Sequence, residues 1–227
     1  MTGISEDLIM KKILVIVPTR SRNHKTKEFV EEFFKNSEIS DLLFGLDDDD
    51  QHTYDRIQNV KYEVNPRLRL NGTLNLLAKK YCEHYECISF MGDDHRTRTK
   101  GWDSIIYEKI KDIPFGIAYG NDLLAEERLP TAVIMKSEII KRLGFMSPHS
   151  LTHLYLDNFW LDLGKRLNSI HYFPKVIIEH MHYGRKGKSP KDDIYIEVNS
   201  PEMHKKDKLA YKIYLQENFE NDLKKFK

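Results

Sequence analysis

Long apolar runs are missing from this 227-residue chain; none approaches the roughly 18 residues that a membrane-spanning helix requires. The opening, MTGISEDLIMKK, has neither the charged start nor the apolar centre of a secretion signal, so a cytoplasmic location is the expectation. Cysteine is scarce. Only Cys82 and Cys87 occur, too few for a disulfide framework, and reduced thiols are expected. Glycine-rich phosphate cradles are absent as well: neither GxGxxG nor GxxxxGK followed by Ser or Thr is found, which argues against a Rossmann dehydrogenase and a P-loop kinase. Net charge is only +1. It is unevenly spread, with four acids at Asp47 to Asp50 and many lysines after Gly184, a pattern that permits a polyanionic partner without requiring one.

What is present suffices for a core and a soluble surface, with 40% hydrophobic and 31% charged residues. No repeat or low-complexity linker divides the chain. One compact domain over 1–227 is expected, with 1–10 as a short extension and 201–227 as a charged helical tail. The run ILVIVPTR (13–20) is continuous in apolar residues, as in a strand buried on both faces of a parallel sheet. TKEFVEEFFKN carries Phe29, Val30, Phe33 and Phe34 at helical spacing. DLLFGLDDDD, VKYEVN and CISFMGDD read as further strands, and GTLNLLAKKYCEHY as a helix with Leu74, Leu77, Ala78 and Tyr81 on one face. In the second half FGIAYGND, TAVIMK and KVIIEHMHYG read as strands. SEIIKRLG reads as a helix stopped by Gly144, and YLDNFWLDLGKRLN as a helix with Leu156, Phe159, Trp160, Leu163 and Leu167 inward. Strands alternating with helices predict an open α/β sheet. In such sheets ligands lie beyond the carboxyl ends of the strands, so PTRSR, DDDD and GDDH are expected to converge on one crevice.

The pair Asp93–Asp94 directly follows an apolar strand. Adjacent carboxylates repel unless a cation lies between them, and hard oxygen ligands suit Mg²⁺ or Mn²⁺. Asp94 is the first choice as direct ligand, with Asp93 reaching a ribose or the metal's water shell. Two residues apart on a strand, His180 and His182 share a face, and either could complete the site; His182 is favoured as nearer the strand end. Thr19, Arg20 and Arg22 at the end of the first strand offer phosphate and carbonyl recognition. Arg67, Arg69, Asn71, Gly72, Thr73 and Asn75 open a helix, where a nucleotide's polar groups could sit, or where Asn71 simply caps. Asp157 lies off the apolar face of its helix and is the candidate general base, with Asp162 a competitor expected to face solvent.

In this order, IVPTRSR, LDDDD, RLNGTLN, FMGDDHRTRTKGWD, YLDNFW and IIEHMHYGRKGK make the chain resemble the GT-A-fold glycosyltransferases. The likeness is to the compact family-2-like forms of bacterial and phage genomes, and spans roughly residues 13 to 190. It implies a GT-A-like open mixed sheet flanked by helices, with a Rossmann-like N-terminal half. It also implies a nucleotide-sugar donor, a UDP-sugar first, held by Pro18, Thr19, Arg20, Arg22, Asp47, Asn71, Gly72, Asn75 and Asp93. Asp94 with a late histidine would hold Mn²⁺ or Mg²⁺, Asp157 would deprotonate an acceptor hydroxyl as in inverting members, and Arg185, Lys186 and Lys188 would close over the phosphates. One departure stands out: Gly92 occupies the first acidic place of the DxD motif, which leaves Asp94 alone or brings in His95.

A nucleotidyltransferase would need a glycine-rich loop after the first strand, which PTRSRN lacks. A metal-dependent nuclease would explain the basic tail but not PTRSR; a non-catalytic nucleic-acid-binding module is the last rival. Glycan, polymer, protein and hydroxymethylated DNA all remain as acceptors.

Overall fold

Alternate residues of the first strand face opposite layers, and this organises the molecule. In the computed structural model, which describes residues 10–183 and 191–227, β1 (Lys11–Thr19) sends Leu14 and Ile16 into one apolar cluster and Ile13, Val15 and Val17 into the other. All five are fully buried, as a strand covered on both sides requires. β1 pairs in parallel with β2 (Ser40–Asp47) and β4 (Tyr85–Phe90), and β3 (Lys61–Asn65) extends the parallel set beyond β2.

The other half of the sheet is mixed. β7 (Val133–Lys136) runs antiparallel to β4, β6 (Ile117–Asn121) antiparallel to β7, and β8 (Ile170–His180) parallel to β6. The three-residue β5 (His95–Thr97) closes the far edge antiparallel to β8, giving the order β3-β2-β1-β4-β7-β6-β8-β5. The open mixed sheet with a parallel N-terminal half is as expected. β5 was not foreseen; three residues are too few to show a period. β8 also starts before Lys175 and stops at His180, so His182 lies past the strand rather than on it.

Helices α1 (Asn23–Asn36) and α3 (Trp102–Ile110) cover one face. The other is covered by α2 (Arg69–Tyr81), α4 (Ser137–Leu143) and α5 (Leu156–Arg166). α1 buries Phe29, Val30 and Phe33 as predicted, but Phe34 remains 45% exposed. α4 ends where Gly144 takes φ 85°, and its N–H reaches the Ile140 carbonyl at 2.7 Å, the left-handed stop that glycine adopts without steric cost. The two cysteines are free and sit in different layers.

After a short helix α6 (Asp193–Val198), the tail forms α7 (Pro201–Glu217) and α8 (Phe219–Leu223). It is integral to the core: Tyr211, Tyr214 and Phe219 pack with Phe159 of α5. Tyr211 donates to Asp162 Oδ2 at 2.6 Å, so Asp162 is half-buried and committed to the tail, not turned to solvent.

Candidate functional site

The carboxyl ends of β1, β2 and β4 meet the loop before α5 and the end of β8 around a cleft of about 340 Å³. Pro18, Thr19, Arg20, Arg22, Asp47, Asp93, Asp94, Asp157, His180 and His182 all line it. The predicted convergence of strand ends is therefore what the fold builds.

One side of the cleft is rich in arginine, and each guanidinium there is already engaged. Arg20 donates to Asp47 Oδ2 at 2.8 Å and grips both oxygens of Asp49 at 2.6 and 3.0 Å. Arg22 spans two acids: Nη1 meets Asp93 Oδ1 at 3.1 Å, while Nε and Nη2 fork onto Asp192 at 2.9 and 2.7 Å. Lys25 adds 3.0 Å to the same Asp192. Arg67 and Arg69 converge on Glu197 at 3.0 and 2.8 Å. Asp192 and Glu197 belong to the α6 segment, which thereby straps this side. Neither was anticipated. Asp192 caps α6 by accepting from the Tyr195 N–H at 2.7 Å, a cap pattern readable in the sequence, but nothing local says which arginine it would meet.

Asp93 and Asp94 point to different neighbours. Asp93 is 4% exposed and accepts from Thr19 Oγ1 at 2.7 Å as well as from Arg22. Burial pushes its carboxyl above the ordinary value, with Arg22 opposing and Asp94 adding to the rise. For Asp94 burial acts in the same sense, but the His180 imidazole, then His95 and Arg22, outweigh it and hold the group well below the carboxylate range. Two like charges are thus kept apart in their titration, one tied to arginine and one to histidine.

His95 and His180 are cross-strand partners in the β5–β8 pair, and their rings stack at 4.3 Å and 16°. His180 Nε2 lies 3.5 Å from Asp94 Oδ2 and His95 Nδ1 3.6 Å from Asp94 Oδ1, both too long for good hydrogen bonds. Nδ1 of His180 is buried with no partner among the described residues. Asp94, His95 and His180 each bring a ligand-type atom to within 4.8 Å of the others. His182, the favoured ligand on sequence grounds, lines the cleft beside this group, its ring 5.2 Å from that of His180; His180 takes the place against Asp94.

Asp157 occupies the first turn of α5 and accepts from the Asn158 N–H at 2.9 Å. Burial raises its carboxyl above the ordinary value, and Asp122 reinforces the rise against the pull of His180. Asn71, Gly72 and Asn75 are displaced from the expected role, because none of them lines the cleft. Asn71 donates to the Pro148 and Leu151 carbonyls at 2.8 Å each and accepts from Ser147 Oγ. Asn75 accepts from the Met146 and Ser147 N–H groups at 2.8 and 3.0 Å. Their amides are spent on the 146–151 loop, which leads to α5; from the other side the buried Asp207 of α7 collects the N–H groups of Thr152, His153 and Leu154. Arg185, Lys186 and Lys188 lie outside the described residues.

No protein-family model and no curated protein matches the chain. Solved structures do. The fragment 1–349 of TarS from S. aureus superposes with a TM-score of 0.57 at 16% identity, covering 74% of this chain and 59% of that one. The mannosyltransferase PcManGT of Pyrobaculum calidifontis, in complex with GDP-Man and Mn²⁺, gives 0.53 at 10% identity, covering 92% and 76%. The catalytic domain of Drosophila β1,4-galactosyltransferase 7, in complex with xylobiose, gives 0.53 at 16%, covering 87% and 81%. The chain spans 59% of the TarS fragment. The fold is GT-A-like, as the resemblance implied.

Proposed function

We propose that the protein is a divalent-metal-dependent glycosyltransferase, which moves a sugar from a nucleotide diphosphate, UDP first, to an acceptor hydroxyl. The observation that carries this reading is the meeting in one cleft of Asp94 with His180, a row of arginines, and the half-buried carboxyl of Asp157. The donor set suits Mn²⁺ or Mg²⁺: a carboxylate held ionised, an imidazole in a long 3.5 Å contact with it, and a buried nitrogen with no partner among the described residues together leave coordinating capacity unspent. Asp94 and His180 would hold the ion, whose positive charge would stabilise the diphosphate as it leaves.

The remaining work falls to the chain itself. Arg22, Arg67 and Arg69 receive phosphate oxygens through forked contacts. Pro18, Thr19 and Asp47 form the strand-end floor for the nucleoside. Asp157 takes the acceptor proton on its carboxylate, made more basic by burial. Its fixed position comes from a loop clamped by Asn71 and Asn75 on one side and Asp207 on the other. The galactosyl- and mannosyltransferase neighbours, whose complexes hold UDP-Gal or GDP-Man and manganese, support this reading.

Thermal denaturation with a panel of nucleoside diphosphates, each with and without Mn²⁺, tests it. UDP with Mn²⁺ should raise the melting temperature, by the equivalent of about 2.7 kcal/mol at a hundredfold excess over Kd, and Asp94→Ala should abolish the rise. No response to any nucleotide, with salt-sensitive DNA binding instead, would overturn it.

A further inference from the structure

Three residues of the cleft have the spacing of a metal cluster, but one of them has no lone pair to give. Nδ1 of His95 accepts the Gly92 N–H at 3.0 Å. Its Nε2 faces Thr131 Oγ1 at 3.5 Å. Because Nδ1 accepts, the imidazole proton belongs on Nε2; Thr131, which gives its own proton to Asp122 Oδ2 at 2.8 Å, turns a lone pair toward it across that long contact. Asp122 is itself immobile: it is 2% exposed, and its Oδ1 accepts three successive N–H groups from Leu124, Ala125 and Glu126, each at 2.8 Å. An imidazole whose Nδ1 lone pair takes a backbone N–H and whose Nε2 carries the proton has no lone pair left for a cation.

What His95 does instead is visible in the stacking. Its plane covers the His180 ring at 4.3 Å and 16°, and backbone pairing of residue 95 with residue 180 fixes the two strands beneath. Gly92 belongs to the same arrangement. A Cβ there would come within 2.7 Å of Asp94 Oδ1 and 3.2 Å of His95 Nδ1, so the first acidic place of the motif is vacant because its space is used by the carboxylate and the imidazole.

We propose that His95 is a positioning residue: a flat plate, locked by Gly92 and by the Asp122–Thr131 pair, that holds the His180 ring against Asp94 while forming no bond to the metal. The inference rests on the metal-dependent reading above. Its test is Mn²⁺ binding followed by electron paramagnetic resonance, with Mn²⁺ alone as the probe, on wild type, His95→Phe and His95→Ala, with melting temperatures recorded for each. Phe keeps the plate and removes both nitrogens. The expected result is a Kd within about threefold of wild type for His95→Phe and a ten- to hundredfold loss for His95→Ala, the range for partners that orient a ligand. The nitrogen modulation in the spin-echo spectrum should be the same for His95→Phe as for wild type. Equal loss in both variants, or reduced nitrogen modulation in His95→Phe, would make His95 a ligand and overturn the proposal. Wild-type affinity in His95→Ala, with only the melting temperature lowered, would reduce His95 to a packing residue and overturn it too. Should His95→Phe not fold, Thr131→Val takes its place: it unlocks Nε2 and should weaken Mn²⁺ binding severalfold, and an unchanged Kd would count against the role. Wild type that takes up no Mn²⁺ would instead remove the metal-dependent reading on which the inference stands.

Discussion

The two sides of the cleft are in opposite electrostatic states. On the arginine side every guanidinium is matched, at 2.6 to 3.2 Å, by Asp47, Asp49, Asp93, Asp192 or Glu197. On the histidine side the contacts to Asp94 are 3.5 and 3.6 Å, and one nitrogen has no partner among the described residues. An anion arriving at the first side must displace carboxylates already seated there. A cation arriving at the second meets groups with spare valence. The difference shows that one cleft can be preorganised for one charge and occluded for the other.

The largest way to break this contrast is His180→Ala, which removes the nitrogen facing Asp94 and should weaken Mn²⁺ binding by about 100-fold or more, beyond the range of an outer partner; calorimetric titration with Mn²⁺ measures it. On the arginine side the expected sign is reversed. Asp192→Asn keeps the shape of the α6 cap but gives up the charge on Arg22 and Lys25, and should tighten UDP binding roughly five- to tenfold, about the value of one charge-assisted contact. Weaker UDP binding in that variant would mean that Asp192 aims Arg22 rather than occupying it. The smallest effect concerns acid. Burial, with help from Arg22, pushes the His153 imidazole down to about 4. The unfolded chain binds that proton near pH 6.5 and the folded one does not, so this contribution to stability is complete above pH 6.5 and is lost progressively down to about pH 4. His153→Gln should therefore flatten the fall in melting temperature across that window.

Much of the fold was legible because its signals are local. The unbroken burial of β1, the apolar face of α5 and the Gly144 stop follow from residue pattern and backbone freedom within a few residues. The strand-end acids and arginines were legible too, since a parallel sheet delivers its carboxyl ends to one edge. What escaped depends on long separations: Asp192 meets Arg22 across 170 positions, and Asn71 meets the Pro148 carbonyl across 77. A polar residue at a helix start looks the same whether it faces a ligand or clamps a loop, so Asn71 and Asn75 could not be told from binding residues. The choice between His180 and His182 turned on where β8 ends, and a strand boundary is set by the pairing partner β5, itself only three residues long.

β8 pairs with β6 up to Phe173 and resumes at Ile177 opposite Asn121, so three residues are absorbed between adjacent positions of its neighbour. That bulge works as a ruler. The stretch before it is anchored in the core beside β6, and the stretch after it presents His180 to the cleft. Because side chains along a strand alternate, shortening the bulge by one residue would leave the first stretch in place and bring Met181 opposite His95. In an insertion or deletion scan the protein would then keep its fold and lose its site, which makes the spacing of 174 to 176, rather than the identity of those residues, the quantity on which the site depends.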